Sequence, residues 1–261
     1  MEQEHTVAVN AAMEAGRKIA EIYHAQNFTV TLKANDKGPL TEADLAANDI
    51  LCSHIQKSFP NDAILSEETT DNPSRLNNSR CWIIDPLDGT REFTLGIPEF
   101  AVSIGLVIDG APIVGVVYNP ITEECVSAIV GVGTYLNGTL VQTTNRAEVA
   151  GSHFLVSRSE HKKGWFKPWE DVADMTPMGS VAYKLARVAI GKAEATFTPK
   201  PRNEWDLCGG VACILGAGGN TSDGSGTPYQ FNQPDPLNIG VCGTNGDLHE
   251  HVLQMMKEAG S

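Results

Sequence analysis

The chain has none of the spacings by which cysteines build a metal knuckle or a redox pair. Its six cysteines, at 52, 81, 125, 208, 213 and 242, are scattered, with no C-x-x-C pair and none of the spacing of a zinc site. In a chain of 261 residues they are expected to be reduced, mostly buried thiols. No run of 18 apolar residues occurs, so no membrane-spanning helix is predicted. The start, MEQEHTVAVN, lacks a basic leader followed by an apolar block, so the expectation is a cytoplasmic protein without a signal peptide. Positive charge is also scarce: 19 Lys and Arg against 32 Asp and Glu give a net charge of −13 and a pI near 4.9. Such a surface argues against nucleic-acid polymers and anionic membranes as partners. Internal repeats and low-complexity tracts are absent. What remains, 41% apolar and 20% charged, is the composition of an ordinary globular protein, long enough for one large domain or two modest ones.

Helical periodicity runs through residues 5–24, with Val7, Val9, Ala12, Met13, Ile19 and Ile22 on the apolar positions. After a polar segment, KANDKGPL, the stretch beginning TEADLAAND predicts a helix with Thr41 as N-cap and Asp44 three residues on, a capping-box pattern. DAILSEE reads as a strand ending in two glutamates, and CWIID as a strand buried on both faces. Residues 99–140 read as a strand meander with turns at Asp109-Gly110 and Asn119-Pro120. The polar stretch 141–152 suggests a boundary, dividing an N-terminal α+β part (1–150) from a C-terminal α/β part (151–261). In the second part HFLVSRS predicts a strand. SVAYKLARVAIG predicts a helix leaving through Gly191 into a strand, and WDLCGGVACILGAGG a helix that ends in glycines.

The chemistry concentrates at IIDPLDGTREF. Asp85 and Asp88 lie three residues apart, with Pro86 where a type I turn favours it. Such a turn brings its ends within about 7 Å, and carboxylates that close repel unless one is protonated or a cation binds. Oxygen ligands favour Mg²⁺, Mn²⁺ or Ca²⁺ over zinc. Gly89 permits a close backbone approach, so the N–H groups of Gly89 and Thr90 could face an anion. A metal beside exposed amides makes a phosphate site. Taken singly, each feature has a plainer reading. The aspartates could cap a turn, Glu67 and Glu68 could be solvated surface charge, Asp206 after Trp205 could be an N-cap, and Asp44 could be only the partner of Thr41. Phosphatases of the haloacid-dehalogenase type carry D-x-D-G-T. The spacing here, D-x-x-D-G-T at residue 85, is one residue longer, which disfavours a covalent aspartyl-phosphate.

In combination, Asp44, Glu67-Glu68, DPLDGT (85–90), Trp205-Asp206 and AGG (217–219) resemble, in that order, the inositol monophosphatase superfamily of Mg²⁺-dependent, lithium-sensitive phosphomonoesterases. The resemblance implies an α+β, α/β chain in a layered αβαβα sandwich of the sugar-phosphatase type. It implies metal ligands at Glu67, Asp85, the Leu87 carbonyl, Asp88 and Asp206, for two to three ions. It implies that Thr90 and Asp44 orient or deprotonate the attacking water, with Glu67 assisting through a further ion, and that Gly89 and Thr90 hold the phosphate beside Asp88. Mn²⁺ is expected to substitute, and Li⁺ and Ca²⁺ to inhibit. The ions would also reconcile an acidic protein with an anionic substrate, because they set the local field whatever the net charge.

Arg91-Glu92-Phe93, where inositol monophosphatases more often carry Thr-Asn-Phe, and VSRSEH (156–161) resemble the bacterial 3′(2′),5′-bisphosphate nucleotidase branch, which acts on adenosine 3′,5′-bisphosphate. A second phosphate would need cations, for which Lys184, Lys200 and Arg202 are the candidates; each could equally be a solvated side chain. The chain departs from the nucleotidase pattern at Gly179-Ser180, where the spacing to Lys184 is one residue longer. An inositol-1-monophosphatase or a broad sugar-phosphate phosphatase is the alternative enzyme. A catalytically silent metal- or phosphate-binding module is the alternative of another class, from which loss of at least one ligand would be expected. The partner is a small phosphorylated metabolite, and the chain is expected to be a monomer or a homodimer.

Overall fold

Helix α1 (Glu2–Ala25) turns a stripe of small residues inward: Ala8, Ala11, Ala12, Ala15, Gly16 and Ile19 are buried. The larger Val9, Met13 and Ile22, expected from the periodicity to form that face, flank it instead. Small residues win because the helix lies close on its neighbours. A Cβ on Gly16 would come within 2.3 Å of the Tyr118 ring. The computed structural model describes residues 1–32 and 38–259; residues 33–37 of the polar segment lie outside the described residues. Helix α2 (Glu42–Ser58) starts at the predicted cap, with both halves of the Thr41/Asp44 capping box present.

Both helices cover one face of a seven-stranded sheet. Its strands, in spatial order, are Ala63–Ser66, Arg80–Asp88, Ala101–Ile108, Ala111–Asn119, Glu124–Ile129, Gly133–Leu136 and Thr139–Val141. The first pair is parallel and the rest are antiparallel. The run Cys81–Leu87 is buried throughout, as its apolar character requires. The aspartate pair does not sit in a chain reversal. The strand continues to Asp88, and Asp85 and Asp88 face Ser103 and Ala101 across a register shift. The type I turn expected there is therefore a β-bulge. Pro86 suits it, because a bulge tolerates a residue with no N–H to donate.

The second sheet has five strands in the order Asp174–Met178, His153–Ser157, Ala195–Thr198, Val241–Thr244 and Asn220–Ser222. Between the sheets lie α5 (Val181–Ala189) and α6 (Glu204–Gly216), whose core joins Ile83 and Val117 to Leu185, Val211 and Ile214. Two short helices, α3 (Thr90–Thr94) and α4 (Arg158–Lys162), follow strand ends, and α7 (His249–Ala259) packs Val252, Leu253 and Met256 on the far side of the second sheet. The layers alternate helix, sheet, helix, sheet, helix, the expected sandwich. α6 fits between the sheets because it is glycine-rich where it touches. A Cβ on Gly209 would lie 2.8 Å from Ser103 Oγ, and one on Gly210 2.6 Å from Leu185 Cβ. All six cysteines are free thiols, five of them buried. Among the described residues no helix is long and apolar enough to cross a membrane.

Candidate active site

The bulge turns both of its aspartates toward one cleft. Asp85 is 1% exposed, and its Oδ1 accepts the Leu87 N–H at 3.0 Å. Asp88 reaches across to the other half of the chain, where its Oδ2 accepts the Ser180 hydroxyl and the Ala182 N–H, each at 2.6 Å. Asp206 arrives from α6. Asn203 is the N-cap, so the expectation of Asp206 as N-cap is corrected by three residues. Asp206 is the third residue of the helix and accepts the Asn203 N–H at 3.1 Å. One oxygen from each of Asp85, Asp88 and Asp206 lies within 4.8 Å of the others. Glu67 follows the first strand of the sheet and lines the same cleft, of about 430 Å³, with the Leu87, Gly89, Thr90, Arg91, Glu92 and Arg202 side and main chains. A larger cavity of about 1080 Å³ lies against α1, lined by apolar groups such as Met13 and Ile129. Glu2, Arg17 and Glu123 also line it, but none of the candidate site residues does.

The electrostatics of the cluster are unfavourable by themselves. Burial first, then the charges of Glu67, Asp88 and Asp206, push the Asp85 carboxyl well above the usual range. Burial also raises Asp88, opposed by the Ser180 hydroxyl, the Ala182 amide and the charges of Lys184 and Arg202. Asp206 is raised by burial and by Asp88 and Glu67, with Arg202 opposing. Acids this close in a desolvated cleft cannot all stay ionised unaided. An all-oxygen donor set of this kind fits a hard divalent cation. The cluster could therefore bind a metal ion.

Thr90 and Asp44 meet although they lie 46 residues apart in the chain. The Thr90 hydroxyl is 2.9 Å from Asp44 Oδ1 and 3.0 Å from the Leu87 carbonyl oxygen. Asp44 keeps its other oxygen on Thr41, accepting the N–H at 2.8 Å and the hydroxyl at 2.6 Å. The capping role and the contact with Thr90 thus coexist, one oxygen each. Gly89 adopts φ +99°, and a Cβ there would lie 2.8 Å from the Glu99 carbonyl oxygen. Only glycine makes this exit from the bulge without strain.

The three candidate cations separate. Arg202 lines the cleft, and its guanidinium lies 3.5 Å from Glu160 Oε1. Lys200 stacks over the Trp165 ring, 5.1 Å from its centroid, and is not among the cleft residues. Lys184 is 6% exposed, and its ammonium donates to main-chain carbonyls; burial pulls its pKa down to about 8 against the charge of Asp88. Neither lysine lines the cleft, although the charge of Lys184 reaches Asp88. Sequence reasoning missed Ser180 and Ala182 as partners of Asp88 and Arg91 as a cleft residue. Arg91 had a signal, its place next to the D-G-T. Ser180 had none, since it lies 92 residues from Asp88.

This fold, with acidic groups gathered where two sheets and the helices between them meet, is that of the layered sugar phosphatases. Within that class the chain belongs to the inositol monophosphatase family, whose sequence model matches residues 1–261. Inositol monophosphatase 3 of Solanum lycopersicum is 32% identical over 276 residues, covering 99% of this chain and 98% of that one. The Thermotoga maritima IMPase superposes with a TM-score of 0.88 at 26% identity, covering 99% of this chain and 98% of that one. An inositol monophosphate-bound SaIMPase-II superposes with a TM-score of 0.80 at 26% identity, covering 97% and 94%.

Proposed function

We propose that the protein is a Mg²⁺-dependent, lithium-sensitive phosphate monoester hydrolase of the cytoplasm that uses an activated water. The observation that carries this reading is the convergence of Asp85, Asp88 and Asp206, with Glu67 in the same cleft. These groups and the Leu87 carbonyl would hold the ions, residues 1–150 supplying most of them and residues 151–261 supplying Asp206. Bound Mg²⁺ supplies charge neutralisation of the ester and a more acidic water. The protein's own part is positioning and proton transfer. Asp44 Oδ1 accepts the Thr90 hydroxyl proton, which leaves a Thr90 Oγ lone pair for an incoming water. As the water attacks phosphorus, its proton passes to Thr90 Oγ while the Thr90 proton passes to Asp44; the ester P–O bond breaks on the opposite side, and the departing alkoxide takes a proton from solvent water to leave as the alcohol. The amides of Gly89 and Thr90 would hold the phosphate.

For substrate, we favour adenosine 3′,5′-bisphosphate. Arg202 and Arg91 in the cleft offer charge to a second phosphate in an otherwise acidic site. Inositol monophosphate is the second reading, favoured by the family and by the ligand of SaIMPase-II. Phosphate release from both, and from fructose 1,6-bisphosphate and NADP, with and without Mg²⁺, compared by kcat/KM, separates the readings. The expected result is Mg²⁺-dependent release, fastest from the nucleotide. Release from none of them would favour a silent binding module.

A further inference from the structure

Directly behind Asp88 the chain is held in an uncommon shape. Ser180 sits at φ 52°, ψ 122°, a region L-residues rarely occupy and that persists only when its surroundings enforce it. Gly179 just before it has no room for a side chain, since a Cβ would lie 2.4 Å from Glu92 Cγ. The Gly179 N–H donates to Glu99 Oε2 at 2.7 Å. From the other side the buried ammonium of Lys184 donates to the Ser180 carbonyl at 2.8 Å and lies 3.4 Å from the carbonyls of Gly179 and Met178. An ammonium has three donors, and here three successive carbonyls receive them. The segment so gripped delivers the Ser180 hydroxyl and the Ala182 amide to one oxygen of Asp88.

We propose that Lys184 is a positioning residue: by gripping the carbonyls of Met178, Gly179 and Ser180 it holds Ser180 in its strained conformation, and so fixes the Asp88 carboxylate for a divalent cation. In this role it acts through Asp88 rather than by contact with the substrate. The inference rests on the reading of Asp88 as a metal ligand. Ligating carboxylates are commonly fixed by such outer partners, whose loss typically costs 10–100-fold in metal affinity.

The test is titration calorimetry of Mn²⁺ alone into the full chain, with steady-state kinetics on p-nitrophenyl phosphate alongside. Lys184→Met, which fills the buried volume without donors, is expected to lose about tenfold in Mn²⁺ affinity. Its kcat should fall at limiting Mg²⁺ and recover as Mg²⁺ is raised, with KM for the ester unchanged. Ser180→Ala should lose a similar factor. If both act through one carboxylate, the double variant should be no weaker than the weaker single variant. Mn²⁺ affinity unchanged in Lys184→Met, simple additivity in the double variant, or a rise in KM alone would overturn the role. Should the methionine variant not fold, the same cycle is read with Lys184→Gln. A parent chain that binds no Mn²⁺, or an Asp88→Asn variant that binds it as tightly as the parent, removes the metal reading itself. A parent that binds while Lys184→Met binds equally well removes only the part assigned to Lys184.

Discussion

Thr90 has one hydroxyl proton and two acceptors within 3.0 Å, Asp44 Oδ1 and the Leu87 carbonyl. That placement is compatible with the part in activating water proposed for Thr90 on the family resemblance. Thr90→Ala is therefore expected to lower kcat by about 10²-fold, the low end of positioned acid–base catalysis, while KM moves by less than about threefold. Steady-state kinetics at saturating Mg²⁺ check this, and a rise in KM with kcat preserved would assign Thr90 to substrate binding instead. At this scale the sequence was only half legible. The capping box around Thr41 and Asp44 could be seen, because it closes within three residues. The second task of Asp44 was not visible in its own stretch of chain, because it depends on a residue that only folding brings near; the family resemblance alone paired it with Thr90.

Among the elements, α6 shows why some positions could be read and others not. Its apolar run and glycine end were plain in the sequence, and so was the continuous burial of the strand that carries Asp85. The reason for Gly209 and Gly210 was not visible, because it lies in Ser103 and Leu185 on other elements. The bulge at Asp85–Asp88 was read as a turn because D-P-x-D suits both, and only pairing with Ala101–Ile108 decides between them. Gly209→Ala should force α6 off the sheet, at a cost of about 1–3 kcal/mol, read as a lower urea midpoint, and should weaken Mn²⁺ binding by displacing Asp206. At the start of α7, His249 is 5% exposed, with Ser222 Oγ 3.0 Å from Nε2 and Thr244 Oγ1 3.2 Å from Nδ1. Burial holds its pKa below the ordinary 6.5. A depressed pKa means that the unfolded chain binds the proton more readily, so this stability is present above pH 6.5 and lost as pH falls through the folded value. The raised cleft carboxyls act the opposite way over this range, so His249 is read by difference: the parent's urea midpoint relative to that of His249→Gln should fall as pH drops below about 6.5.

For the molecule as a whole, the net charge of −13 and the raised carboxyls of the cleft act in the same direction. Both make the metal-free chain less stable than its packing alone would allow. A divalent cation bound only by the folded state at 100 times its Kd adds about 2.7 kcal/mol, which for a chain of this size raises Tm by roughly 5–10 °C. Calorimetry in Mg²⁺ against EDTA should show that rise, and Asp88→Asn should remove most of it. The acid cluster draws Asp85 and Asp88 from before the polar 141–152 stretch and Asp206 from after it, and the Ser180 grip on Asp88 spans the same divide. A chain severed within that stretch would leave two fragments, neither holding all three aspartates, so recovery of ion binding on mixing them would report their reunion as a split sensor does.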